Sequence, residues 1–175
     1  MSYWFAAVSY YKEHLMVRVV TQLIFILLIY FAIQYWKSLD DIRGAAPVIK
    51  AVDLDGNKID LRQYRNKPVL VHFWATWCPV CQFENSNIES LAADYQVVTI
   101  ASWSGDEFQV KEYLKKENIK MPVIVDDTAE WASLYSVKSV PASFFVDASG
   151  EIQFIEKGYT SEAGLRLRLW WLSYF

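Results

Sequence analysis

Two cysteines in 175 residues are too few to staple a fold. Small stapled domains carry four or more and lack a core, whereas this chain is 54% hydrophobic, ample for a packed one. Cys78 and Cys81 therefore need not be structural. A disulfide across three residues also closes almost no loop, so it would restrict the unfolded chain little. Basic charge is short as well. Lys and Arg number 17 against 20 Asp and Glu, and the formal charge of −3 argues against a nucleic-acid partner. Histidines number two, His14 and His72, so a lone CxxC lacks the further ligands of a zinc site. There are no internal repeats and no low-complexity segments. The length suits one domain with an appendage.

The appendage is an N-terminal apolar run. Residues 19–36 read VVTQLIFILLIYFAIQYW and hold no formal charge. As a helix they span about 27 Å, just enough to cross a hydrocarbon core. Arg18 and Lys37 bracket the run, and Tyr35 and Trp36 suit an interfacial aromatic belt. A cleaved signal peptide would be shorter in its apolar part and end at small residues. No cysteine follows directly, which excludes lipoprotein processing. The expected organisation is a short cytoplasmic N-terminus over 1–18, a transmembrane signal anchor over 19–36, a linker over 37–46 and a domain over 47–175. The linker reaches only about 30 Å. Basic residues flank the run on both sides, so the positive-inside rule leaves the orientation open.

Within the domain, apolar runs alternate with helical patterns. VIKAVDLDGNKIDL reads as a hairpin about Asp55-Gly56-Asn57. Residues 68–74 form a nearly continuous apolar run, as in a central strand buried on both faces. A helix is expected from Cys78 to about Asp94, a strand over 96–103, a helix over 106–118 and a strand over 122–126. A short helix follows from Thr128 to Tyr135, capped by Thr128 or Asp127. Strands over 142–146 and 151–157 pair about Ala148-Ser149-Gly150, and a last helix runs from Ser161 to Leu172, capped by Thr160 or Ser161. Leu165, Leu169 and Leu172 should cover the sheet, with Trp170, Trp171, Tyr174 and Phe175 capping it rather than touching a bilayer interface, the alternative their composition offers. This order implies an α/β sandwich with a mixed sheet.

The two thiols stand where a strand turns into a helix. At i and i+3 their Cα atoms fall within disulfide reach. Cys78 at the N-cap meets free backbone N–H groups and the positive end of the helix dipole, which favour a thiolate. Cys78 should attack and Cys81, pointing into the fold, should resolve. Pro79 suits the first helical position, and Val80 adds an apolar side chain. Strand alternation puts His72 with Leu70 and Trp74. His72 is either a proton acceptor for Cys81 or a hydrogen-bonded core residue. Trp77 is expected to be exposed and Trp74 to be core.

FWATWCPVC, the Ala46-Pro47 entry, the Asp-Gly hairpin and Val140-Pro141 together resemble the thioredoxin-like fold. More narrowly they resemble membrane-anchored thiol–disulfide oxidoreductases of the TlpA and ResA type. The CPVC motif and Ser104-Gly105-Asp106 look closest to the suppressor of copper sensitivity protein D group. The resemblance implies that Pro141 is a cis-proline facing the disulfide and that Val140 shapes the substrate groove beside Trp77, Pro79 and Val80. It implies that Glu84, three residues beyond Cys81, assists proton transfer. His72 departs from the family pattern, which has Asp or Asn there. A peroxidase on this fold would carry Thr three residues before the attacking Cys. That residue is Ala75, so the peroxidase reading drops out.

The function expected is extracytoplasmic disulfide exchange with protein substrates, as a reductant fed by a membrane electron donor, with the catalytic domain in the periplasm. The redox pair serves without a separate cofactor or metal. The alternative is a copper(I) chaperone using both thiolates as soft ligands.

Overall fold

The structure is a computed structural model that describes residues 17–33 and 42–174. The chain divides into two compact units, Met1–Asp41 and Ile42–Phe175. In the first, residues 17–33 form helix α1, exposed along its whole length and uncharged except for Arg18. The expected span runs past it: residues 34–36, like 1–16 and 37–41, lie outside the described residues. Among the described residues no helix is long and apolar enough to cross a membrane.

The second unit is built on β4 (Val69–Trp74), whose six residues are all buried. Such a strand needs a partner layer on each face, and the chain supplies both. It pairs in parallel with β5 (Gln96–Ser102) and antiparallel with β7 (Ala142–Val146). The six-stranded sheet is completed by β6 (Val123–Asp126), β8 (Glu151–Lys157) and β1 (Gly44–Ala45), in the order β1-β8-β7-β4-β5-β6. The expected hairpin forms a separate pair, β2 (Lys50–Val52) and β3 (Lys58–Asp60). Its turn is tied by the Asp53 carboxylate, which accepts from the Asp55 and Asn57 N–H groups. Gly44 and Ala45, expected in the linker, pair with Ile152 and Glu151 at the sheet edge.

Period-2 alternation divides the core. Leu70 and Trp74 join Cys81, Ile88 and Leu91 of α2 (Pro79–Ala92), Val110 of α3 (Glu107–Glu117) and the buried leucines of α5 (Glu162–Tyr174). Val69, Val71 and Phe73 join Ile49, Leu61 and, from α4 (Glu130–Leu134), Ala132. There Phe73, Tyr135 and Phe144 meet pairwise with ring centroids 5.0 to 5.6 Å apart. Each such pair adds about 1 kcal/mol beyond area burial.

Two expectations about helix ends change. α4 starts at Ala129, which adopts φ 56° and offers no capping side chain. Asp126, buried at the end of β6, does the work instead, accepting from the N–H groups of Trp131 and Ala132 and from Ser102 Oγ. A strand-end carboxylate reaches these donors because the left-handed residue turns the helix back onto the sheet. Asp126→Ala leaves three donors without a partner, two of them buried, and should cost about 3 kcal/mol in urea denaturation. A loss below about 0.5 kcal/mol would show that the network stabilises nothing. In α5, Leu165, Leu169 and Leu172 are buried as expected, but Trp170, Trp171 and Tyr174 face outward rather than cap the sheet.

Candidate active site

β4 carries the chain into the loop at Ala75–Trp77, and Cys78 closes it as the N-cap of α2. Pro79 takes the first helical position, where a missing N–H is harmless. Cys78 and Cys81 are joined by a disulfide with Cα atoms 5.3 Å apart. Cys78 Sγ accepts from the Cys81 N–H at 3.1 Å. The helix start therefore already points a backbone donor at the sulfur that would carry negative charge. Cys81 is fully buried, whereas Cys78 keeps 3% exposure.

Across from the disulfide, the Val140–Pro141 bond is cis and the Val140 carbonyl oxygen lies 3.7 Å from Cys78 Sγ. Trp77 is exposed and Trp74 fully buried, as expected. Trp77, Pro79 and Val80, next to Cys78 in sequence, are exposed, as is Phe83, and residues 68–83 carry no charged side chain, His72 being neutral.

The loop after β5 holds this rim, a support that sequence reasoning missed. The Trp77 indole N–H donates to the Trp103 carbonyl at 2.8 Å. The Thr76 N–H donates to Ser104 Oγ at 3.0 Å, and that hydroxyl donates on to the Ser102 carbonyl. Trp103 and Gly105 both have positive φ, 51° and 81°. At Gly105 a side chain would collide with Gln109, which closes a capping box with Asp106 at the start of α3. The Gly105-Asp106-x-x-Gln109 pattern marks a helix start, but nothing local shows that its loop bears on residues 76 and 77.

Glu84 is fully buried one turn beyond Cys81. One carboxyl oxygen accepts from the Thr160 N–H at 3.1 Å; the other has no hydrogen-bond partner among the described residues. Burial raises its pKa to about 7, against the lowering effect of the Thr160 bond. His72 is fully buried too, with Nδ1 2.9 Å from Ser143 Oγ and Nε2 unpartnered among the described residues. Burial pushes its pKa down to about 3, so the ring is neutral at ordinary pH. Of the two roles open for His72, this environment favours the hydrogen-bonded core residue. Among the described residues no group of three or more His, Cys, Asp or Glu is placed to hold a metal ion.

Residues 42–155 match the AhpC/TSA family profile. The chain is 35% identical over 125 residues to a thioredoxin-like protein of Haemophilus influenzae, covering 70% of this chain and 74% of that one. It is 35% identical over 127 residues to the thiol-disulfide oxidoreductase ResA of Bacillus thuringiensis, covering 70% and 73%. The fold is similar to the crystal structure of an exposed lipoprotein thioredoxin of Streptococcus pneumoniae, with TM-score 0.67 and 26% identity over 72% of this chain and all of that one.

Proposed function

Since the chain belongs to the AhpC/TSA family, as a thioredoxin-like thiol–disulfide oxidoreductase, we propose that it is a membrane-anchored, extracytoplasmic reductant of protein disulfides working through Cys78 and Cys81. The observation that carries this reading is the N-cap sulfur of Cys78, held by a backbone N–H inside an aromatic, uncharged rim. The Cys78 thiolate attacks a partner disulfide, forms a mixed disulfide and releases one partner thiolate. Cys81 then attacks Cys78 Sγ, closes the internal disulfide and releases the second. Two electrons pass to the partner, and a membrane donor returns them. The pair is itself the redox group, with no further cofactor or metal.

Glu84 is proposed as the proton carrier for Cys81, because a carboxyl with pKa about 7 both holds and releases a proton near neutrality. Trp77, Pro79, Val80, Val140 and Pro141 form the proposed substrate rim. The anchor is proposed over 19–36, supported by the exposed α1, which is uncharged after Arg18, with the short segment to Gly44 keeping the domain near the membrane. The CPVC motif and Ser104-Gly105-Asp106 support a place beside the copper-sensitivity suppressor group.

Insulin reduction with and without copper(I) tests this reading. The full chain, supplied with dithiol reductant, should reduce insulin at least tenfold faster than reductant alone, and copper should inhibit by occupying the thiolates. Tight copper binding with no acceleration would instead assign the pair to copper(I) delivery.

A further inference from the structure

Cys78 stands at the end of a short turn, and the turn is shaped from outside. Its backbone bond runs from the Cys78 N–H to the Ala75 carbonyl at 3.2 Å. The two residues between, Thr76 and Trp77, are each taken by a residue of the loop after β5. The Trp103 carbonyl accepts from the Trp77 indole at 2.8 Å, and Ser104 Oγ accepts from the Thr76 N–H at 3.0 Å. These ties differ in kind. Trp103 grips an exposed side chain, whereas Ser104 grips the main chain two residues before the sulfur of Cys78. Ser104 is itself buried, and its proton goes to the Ser102 carbonyl at 3.0 Å. A hydroxyl whose proton is committed has its lone pairs aimed, so it offers the Thr76 N–H a fixed acceptor.

The loop is held in turn by the start of α3. Asp106 and Gln109 exchange bonds of 2.9 and 3.0 Å between side chain and main chain. Between this lock and β5 the chain passes through Trp103 and Gly105, both left-handed. At Gly105 a Cβ would meet the Gln109 side chain. Trp103 does carry a Cβ, and such a residue stays left-handed only where its surroundings over-determine it. Residues 102–109 thus fix one hydroxyl relative to the sheet, and that hydroxyl fixes the turn.

We infer that Ser104 is a positioning residue for the first displacement: by taking the Thr76 N–H it sets the Ala75–Cys78 turn and aims Cys78 Sγ at the partner disulfide. The same turn sets the approach of the Cys81 N–H to that sulfur, 3.1 Å away. Ser104 bonds to neither cysteine and acts through Thr76. The Ser104-Gly105-Asp106 motif thereby divides its labour: Gly105 and Asp106 hold the loop, and Ser104 holds the turn. The inference rests on Cys78 as the attacking thiol.

The full chain carrying Cys81→Ala has one thiol and reports the first displacement alone. Its Cys78 thiolate attacks one sulfur of an aromatic disulfide, the S–S bond breaks, and the aromatic thiolate leaves with a change in absorbance. In this background Ser104→Ala should slow attack about tenfold, while Ser104→Thr, which keeps the hydroxyl, should stay within about twofold of the parent. Tyr135→Phe drops a hydrogen bond to the Pro47 carbonyl in the other half of the core, and so measures what a comparable loss of stability does by itself. It should leave the rate unchanged. An unchanged rate in Ser104→Ala, or the same slowing in Tyr135→Phe, would overturn the inference. Equal slowing in Ser104→Thr would overturn it too, by assigning the effect to packing. No reaction at Cys78 in the Cys81→Ala parent would instead remove the attacking-thiol reading, and the inference with it.

Discussion

Cys81→Ala should accumulate a mixed disulfide between Cys78 and partner proteins, whereas Cys78→Ser should form none and lose disulfide exchange to background. The asymmetry follows from position rather than from thiol chemistry alone. Cys78 sits at the helix start, accepts the Cys81 N–H and keeps 3% exposure where Cys81 keeps none. A thiolate there is favoured by the unsatisfied N–H groups of the first turn. Cys81 is enclosed by the core it shares with Trp74 and Ile88, so a partner sulfur reaches it only through Cys78. Removing Cys81 leaves the first displacement intact and deletes the second. Non-reducing electrophoresis after acid quenching reads both variants. A trapped adduct on Cys81 in the Cys78→Ser protein would reverse the assigned order of attack.

The second large effect is a pH dependence of stability that changes sign between two variants. Glu84 has its pKa raised from 4.5 to about 7, so the folded state binds its proton more tightly than the unfolded chain does. Its contribution is complete below about pH 4.5 and is lost as pH rises to about 7. Discounted for dielectric relaxation of the surrounding protein, the loss is about 2 kcal/mol. His72 has the opposite sign. Its pKa is lowered from 6.5 to about 3, so the unfolded chain takes the proton first. Stability from this group is complete above about pH 6.5 and is lost as pH falls toward 3, by up to about 5 kcal/mol.

Between pH 4.5 and 6.5 the two slopes oppose each other. Relative to the wild-type chain, Glu84→Gln should therefore gain stability as pH rises through this window, and His72→Asn should lose it. Gln keeps an acceptor for the Thr160 N–H while removing the charge, so the comparison isolates ionisation. Urea denaturation at half-unit pH steps reads both differences. Two parallel curves would show that neither group is desolvated as the structure indicates. In the same variants, resolution of the mixed disulfide should keep its pH profile in His72→Asn and change it in Glu84→Gln. A moved profile in His72→Asn would restore the histidine as proton acceptor.

The site was legible in the sequence where its signals are local. The strand-to-helix turn, the i, i+3 spacing and Pro79 at the first helical position place Cys78 at an N-cap without any long-range contact. The sheet strands were legible because β4 is buried on both faces and reads as one apolar run. The supports of the site were not legible, because each joins segments far apart in sequence. Ser104 reaches Thr76, Trp103 holds Trp77, and the Thr160 N–H finds Glu84. The Asp126 cap was missed for a related reason: the sequence offered Asp127 and Thr128 nearer the helix, and only the left-handed Ala129 turns the donors back to the strand end. The aromatics of α5 were read as a cap on the sheet because helical spacing tells which residues share a face, not what lies against it.

The redox state of the Cys78–Cys81 pair in growing cells tests the proposed direction of electron flow most directly. Acid quenching followed by alkylation with a mass-adding maleimide separates dithiol from disulfide on a gel. The pair should be mainly dithiol, and should become disulfide when the membrane supply of electrons is cut. A pair found mainly as disulfide with that supply intact would contradict a reductant and make the protein an oxidant of its partners.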